Sequence, residues 1–486
     1  MRKFNFRLIA HLMGVMLLYL SGIMVLPLVI SLYCRDGAQF ALLMSGMATL
    51  LIGLLFRNIL GHNAEYDLKS DESYWVTATI WMAVPFCGTL PYLFTGGIDS
   101  LTDAIFESFS GFTTTGSSVL PYPEELPQSL LVYRAITQWI GGLGMMLMVI
   151  AIFRRLGISG VQLYEAEFSG TQERKLHPRL SKSVTRLWTI YIILTLAMFV
   201  LLCVNHVPIV DAICLSLSTV STGGFVTHSA GLSMLSDGAL LVITVFMMLS
   251  GINVAVLYNL FTFKWKGIHR NEELRTYLAV LTVTILVCSG AFYFTGKDFL
   301  PALSYSAFHI ASTMSTCGFF LPRPSHWPFL VSTITFVIII IGSSAGSTGG
   351  GLKMRRIITL VKYIGLYFTH MIHPNAVALV KVDGKAVDSE YINKILGYVS
   401  LYIAFIVGGA FVLTLCDCTI PDAICMAAAN ISNLGPSPLI NNLGGNLDYA
   451  MLPDLAKWTL TVLMLAGRLE LFALIAIFSP SYWRRR

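Results

Sequence analysis

The sequence predicts an all-α integral membrane protein of about ten transmembrane helices and four re-entrant half-helices. Three observations carry this: composition, the length of the charge-free runs, and a fourfold internal repeat. Of 486 residues, 55% are hydrophobic and only 12% charged, and the mean hydropathy is +0.72. Soluble domains carry roughly 25% charged residues, so a water-exposed surface of this size could not be covered. Lipid is the solvent for most of the chain.

The charge-free runs are 8–34, 37–56, 73–98, 135–153, 187–210, 238–263, 276–296, 324–352 and 395–416, and a tenth apolar segment, 456–478, is interrupted by Arg468 and Glu470. About 20 helical residues cross the hydrocarbon layer, and lipid forces backbone groups to bond internally, so these runs are expected to be helices. The first run is too long for a cleavable signal, and a second follows at once. Ten spans put both termini on one side. With the termini inside, 26 of the 32 Lys and Arg residues fall on the cytosolic face, among them those of 154–186 and 353–394, which is the orientation the positive-inside rule selects. The outer face then carries 13 acidic against five basic residues. That bias attracts cations, although depletion of Lys and Arg from translocated loops accounts for it equally well. The nine cysteines follow no ligand or disulfide spacing.

Between the spans lie four uncharged segments of a different kind. Asp103-AIFESFSGFTTTG, Asp211-AICLSLSTVSTG, Tyr305-SAFHIASTMSTCG and Asp422-AICMAAANISNLG each give a short apolar stretch, then small polar residues, then a glycine: Gly116, Gly223, Gly318 and Gly435. The unit span, half-helix, glycine loop, span therefore recurs four times after a leading pair of spans. It divides the chain into 1–72, 73–155, 156–265, 266–370 and 371–486. A half-helix ending mid-membrane aims its C-terminal dipole at the membrane centre, which favours cations. Asp103, Asp211 and Asp422 read as N-caps. Four glycine loops around a pseudo-four-fold axis would form a ring of carbonyls able to replace an alkali ion's hydration shell. Four loops that merely plug a bundle are the alternative, but they explain neither the matched glycines nor the Ser/Thr enrichment.

These loops, TTTGS (113–117), STGGF (221–225), TCGFF (316–320) and NLGPS (433–437), resemble the filters of the TrkH/KtrB superfamily of potassium transporters. The likeness runs over essentially the whole chain, and the two extra N-terminal spans are those of the TrkH branch. It implies four channel-like units in one chain, a K⁺ filter at Thr114, Thr115, Gly116, Ser221, Thr222, Gly223, Thr316, Cys317, Gly318, Asn433, Leu434 and Gly435, and K⁺ as transported ion. It further implies a bacterial inner-membrane homodimer served by a cytosolic ring of TrkA-like nucleotide-binding subunits, with lipid around it and no nucleic-acid partner. Such filters carry one matched glycine each, simpler than TVGYG, so cation transport is the firmer part of that expectation.

The eighth run ends in GSSAGSTGGGLK, Gly342 to Lys353. Gly and Thr make continuous helix costly there, while a small-residue seam for close helix packing is the alternative. A phosphate loop is excluded, since Gly351 is followed by Leu352 and no Gly-Lys-Ser/Thr occurs. The resemblance assigns this stretch, including Gly342, Ala345, Gly346, Gly349, Gly350 and Gly351, to an intramembrane gate beneath the filter. Arg468 is a charge in mid-span, by default a functional residue. The GRLE motif (467–470) resembles the family's last helix, which implies an arginine in the pore as an electrostatic barrier; a structural ion pair with another helix is the alternative. Glu470 reads as a packing acid. His309, His370 and His373 read as packing or helix-end residues. No nucleophile–base pair, metal cluster or nucleotide motif points to an enzyme. The competing function is a K⁺ symporter coupled to H⁺ or Na⁺, for which Glu470 is the one candidate carboxylate in a span.

Overall fold

In the computed structural model the described residues are 5–62, 70–144, 180–263, 271–296, 298–321, 328–373, 375, 379–436 and 449–471. The expectations for 154–179, for the arginines 484–486 and for most of 264–275 lie outside them. Among the described residues six helical segments are long and apolar enough to span: Phe6–Cys34, Gln39–Leu60, Glu72–Thr95, Thr185–Val204, Glu272–Phe294 and Ser389–Leu415. They coincide with six of the charge-free runs, so those run lengths were legible. The runs 135–153 and 456–478 extend beyond the described residues.

Two runs are interrupted, the first against expectation and the second in line with it. Run 238–263 bends by 111° between Asp237–Ser250 and Val254–Phe261. Run 324–352 is helical only over Phe329–Ile341. The breaks recur in the other repeats. The helix Gln128–Trp139 passes into a wider π-helical turn, Ile140–Gly144, and Asp454–Arg468 ends in left-handed Glu470 and Leu471. All four second helices thus depart from α geometry where small or strained residues occur.

The helices are α1 (Phe6–Ile23), α2 (Val25–Cys34), α3 (Gln39–Leu54), α4 (Ser70–Cys87), α5 (Leu90–Thr95), α6 (Leu101–Phe112), α7 (Gln128–Trp139), α8 (Leu180–Val204), α9 (Ile209–Val220), α10 (Asp237–Ser250) and α11 (Val254–Phe261). There follow α12 (Glu272–Phe294), α13 (Phe299–Ser315), α14 (Phe329–Ile341), α15 (Met354–Ile372), a hairpin β1 (Lys381–Val382) and β2 (Lys385–Ala386), α16 (Ser389–Leu415), α17 (Ile420–Ile431) and α18 (Asp454–Arg468).

Four of these, α6, α9, α13 and α17, are the half-helices. Each packs on the second helix of the preceding repeat: α9 on α7, α13 on α10, α17 on α14, and α6 on α18. That last contact closes a circle, which is what a pseudo-four-fold arrangement requires. Half-helix residues are buried, with Phe106, Phe112, Ile310, Ala311 and Met426 all under 2% exposed, whereas the outer helices turn Leu26, Leu196, Leu286 and Val407 outward at more than half exposure. Large apolar side chains left on the outside are what a lipid solvent accepts.

The caps differ from expectation. Asp103, Asp211 and Asp422 stand in the first turn, and the capping positions are Ser100, Pro208 and Thr419. Thr419 accepts from the Asp422 amide and donates 2.6 Å to its carboxylate. The aspartates therefore complement the N-terminal dipole from the third position.

Candidate functional site

Each half-helix ends in the same way. The Thr115 amide bonds Ser110 O and the Thr114 amide Gly111 O. The same pair of bonds joins Gly223 to Ser218 and Thr222 to Thr219, Cys317 to Ser312 and Thr316 to Thr313, and Leu434 to Ala429 and Asn433 to Asn430. These are four Schellman caps. The left-handed residue that such a cap needs is normally glycine, yet here it is Thr114, Thr222, Thr316 and Asn433, with φ of 56°, 56°, 59° and 52°. Left-handed backbone costs an L-residue about 1–2 kcal/mol, and strain of this kind gathers at functional sites.

Two residues later stand the glycines, and the structure corrects one of them. Positive φ occurs at Gly116 (82°), Gly224 (80°), Gly318 (85°) and Gly435 (77°), not at Gly223. With Gly224 in register, every glycine lies thirteen residues after its opening position, Asp103, Asp211, Tyr305 or Asp422. Gly223 occupies the place of Thr115, Cys317 and Leu434. A β-carbon on Gly116 would strike the Gly223 carbonyl, one on Gly224 that of Cys317, one on Gly318 that of Leu434, and one on Gly435 that of Thr115. Each glycine thus abuts the carbonyl preceding the next repeat's glycine, and the series closes on itself. Left-handed backbone and close approach both exclude a side chain here.

The ring is held from behind by buried polar side chains. Asn433 Nδ2 donates to Thr115 Oγ1 (3.1 Å) and to Met464 O (2.9 Å), and Ser117 donates to Asn430 Oδ1 (2.9 Å). Gln138 donates to Gly223 O (2.7 Å) and accepts from the Phe225 amide (3.2 Å), gripping the loop on both sides of Gly224. Outside the ring, a cavity of about 300 Å³ is lined by Gly116, Ser118, Tyr122, Gly224, Phe225 and His228, among others.

Beneath the ring runs Gly342–Lys353, which leaves the helix as expected. It touches three half-helix ends. Thr348 Oγ1 lies 3.3 Å from Val220 O, Gly350 N donates 2.7 Å to Thr316 Oγ1, and Gly350 abuts Ser432 O so closely that no β-carbon fits. Its outer edge is pinned where Ala345 N donates to Glu273 Oε1 (2.5 Å) and Ala345 O accepts from Asn253 (2.6 Å). Val254 N and Gly346 O add a 3.1 Å bond. Arg468 meets this loop. Its guanidinium donates to Thr348 O (3.0 Å), to Gly141 O (2.6 Å) and to Gly142 O, tying the loop to the first repeat. The candidate gate residues Gly342, Ala345, Gly346, Gly349, Gly350, Gly351 and Arg468 are therefore brought together. Glu470 instead pairs with buried Arg356, whose guanidinium lies 4.0 Å over the Tyr398 ring.

Several residues here were not read from the sequence. Glu107 and Arg134 form a fully buried pair (2.7 Å), and Glu273 is 2% exposed. The statement that Glu470 is the one carboxylate within a span is thereby corrected. Glu107 could have been noticed, for its counterparts nine residues before each glycine are Leu215, His309 and Met426. Gln138 and Asn253 gave no such signal. His309 is buried with its ring 4.3 Å from that of Tyr305, a packing contact, and no cluster of metal-binding side chains occurs among the described residues.

Four half-helices ending in glycine loops that close a ring, over a loop that breaks a helix, define a four-repeat helical membrane protein. The chain belongs to the TrkH family, whose model, described as a cation transport protein, matches residues 42–485. The Trk system potassium uptake protein TrkH of Salmonella typhimurium is 34% identical over 99% of this chain and 100% of its own length. That of Escherichia coli is 32% identical with the same coverage. The crystal structure of the potassium transporter TrkH from Vibrio parahaemolyticus superposes with a TM-score of 0.87 at 31% identity, covering 99% of this chain and 100% of that one.

Proposed function

We propose that this chain carries potassium across the bacterial inner membrane through a gated pore, without covalent chemistry. The observation that bears most weight is the closed ring in which Gly116, Gly224, Gly318 and Gly435 each abut the next loop's carbonyl. Four loops locked edge to edge hold their carbonyls at fixed spacing, the condition under which backbone oxygens can stand in for a hydration shell. Thr114, Thr115, Ser221, Thr222, Gly223, Thr316, Cys317, Asn433 and Leu434 complete this filter, and 342–351 with Arg468 is its gate. The repeats fall at 73–155, 156–265, 266–370 and 371–486 after the leading pair 1–72, with both termini cytosolic, as the basic residues on that face support. The working unit is a homodimer regulated by a cytosolic ring of nucleotide-binding subunits. Purified chain alone therefore binds no ATP; stoichiometric binding would contradict this division of labour.

Symport with H⁺ or Na⁺ gains some support from the buried carboxylate Glu273, which holds the gate loop. Rubidium uptake into proteoliposomes containing only this chain, with and without a proton gradient, separates the readings. Selective uptake indifferent to the gradient supports the pore; uptake that requires the gradient supports symport; no uptake above empty liposomes refutes both.

A further inference from the structure

We infer that Arg134 and Glu107 are positioning residues that set the spacing of the first two filter loops and thereby the preference among alkali cations. Arg134 lies on α7 one turn before Gln138, so both face the same way. Its Nε and Nη2 reach Glu107 Oε1 at 2.9 and 2.7 Å. Nη2 also donates to Ser118 Oγ (3.0 Å), and Nη1 donates to Val226 O (3.2 Å). The guanidinium carbon sits 4.2 Å over the Phe225 ring. Glu107 in turn accepts from Ser118 Oγ and the Val119 amide, each at 3.0 Å.

The partners are not scattered. Ser118 and Val119 follow Gly116 by two and three residues, and Phe225 and Val226 follow Gly224 by one and two. One guanidinium thus ties the outgoing strand of loop one to that of loop two, with Glu107 anchoring it to the first half-helix. Both side chains are at most 2% exposed, so the geometry is held by their protein partners. Leu215, His309 and Met426 replace Glu107 in the other repeats, so the brace is particular to the first seam. A planar fork is needed to hold three partners at once, which lysine lacks. Selectivity of a carbonyl ring depends on the spacing and field of its oxygens, so loosening one seam weakens discrimination before it abolishes flux.

This inference rests on the pore reading above. The test is the ratio of rubidium to sodium uptake in proteoliposomes, normalised to folded protein. Wild type lacking a rubidium preference would refute the pore reading itself. Given a selective wild type, Arg134→Lys should lower the ratio by about tenfold, the factor that ~1.4 kcal/mol of differential ion binding represents. The double variant Glu107→Gln with Arg134→Met strands no charge, and apolar replacement of a buried pair is often tolerated; it should lower the ratio as far. Ser118→Ala, which leaves the ion pair intact, should lower it by a smaller factor. Lys457→Met breaks a different outer-face pair, Lys457–Asp103 at 2.5 Å, and should keep the wild-type ratio. An unchanged ratio in whichever of the first three variants folds, or an equal fall in Lys457→Met, overturns the assignment.

Discussion

Replacing Arg468 with alanine removes the proposed gate's charge and its tether in one step. The guanidinium holds Thr348 O at 3.0 Å on the loop and Gly141 O at 2.6 Å on the first repeat. A hydrogen bond from a charged donor contributes about 1.5–3 kcal/mol, so loss of the loop contact alone shifts the closed state's population by about ten- to a hundredfold. A unit charge about 6 Å from a cation at an effective dielectric of about 20 opposes its passage by ~3 kcal/mol, again about two decades of rate. The two effects share one closed gate and do not add in full. Rubidium uptake per folded molecule should therefore rise about ten- to a hundredfold. Arg468→Lys keeps the charge and loses the fork: uptake near wild type identifies the charge as the barrier, whereas uptake near that of alanine identifies the tether. Deleting residues within 345–351 should raise flux likewise. A folded, monodisperse Arg468→Ala protein with unchanged or reduced uptake refutes the reasoning, because neither barrier nor latch would then limit passage.

Gly224→Ala should abolish selective uptake, since left-handed backbone and the Cys317 carbonyl both exclude a β-carbon. Gly223→Ala meets the Gln138 side chain first and should be partly rescued by Gln138→Ala; equal rescue of both glycine variants in competitive rubidium and sodium uptake would contradict the register. Glu273→Ala releases Ala345 N and should raise uptake by about tenfold through loss of one charged hydrogen bond, with unchanged uptake counting against the loop's outer pin. Glu470→Ala strands buried Arg356, and breaking such a pair costs about 3–5 kcal/mol; thermal melting in detergent should show a fall of several degrees, and an unshifted midpoint would exclude the pair as a structural tie. Thr222→Gly relieves left-handed strain of about 1–2 kcal/mol and should raise the same midpoint; a fall would mean that the threonine hydroxyl outweighs the strain.

How much was legible follows from the range of the forces involved. Membrane class, six of the spans and the four half-helices are matters of local solvation: a lipid-facing helix must be apolar along its own length, so single segments announce themselves. The loop at 342–351 was legible for a similar reason, because a run of Gly, Ser and Thr makes a helix costly by its own local propensity. The filter register in the second repeat was not. Gly223 and Gly224 are adjacent glycines, and which one carries positive φ depends on the Cys317 carbonyl on one side and on Gln138 on the other. The caps were misassigned for lack of the same information, since each helix starts two residues before its aspartate and the capping position falls to Ser100, Pro208 or Thr419.

By itself the sequence determined the solvent, the fourfold repeat and the family, because each is written in composition or in residues close along the chain. Only the tertiary structure decided which groups meet across the seams. Glu107 and Arg134 come together from separate helices, Arg468 finds the carbonyls of Thr348, Gly141 and Gly142, and Glu470 finds Arg356 across 114 positions of chain. In a low-dielectric interior a charge must have a partner at hydrogen-bond distance. The sequence states that requirement, and packing alone chooses the partner.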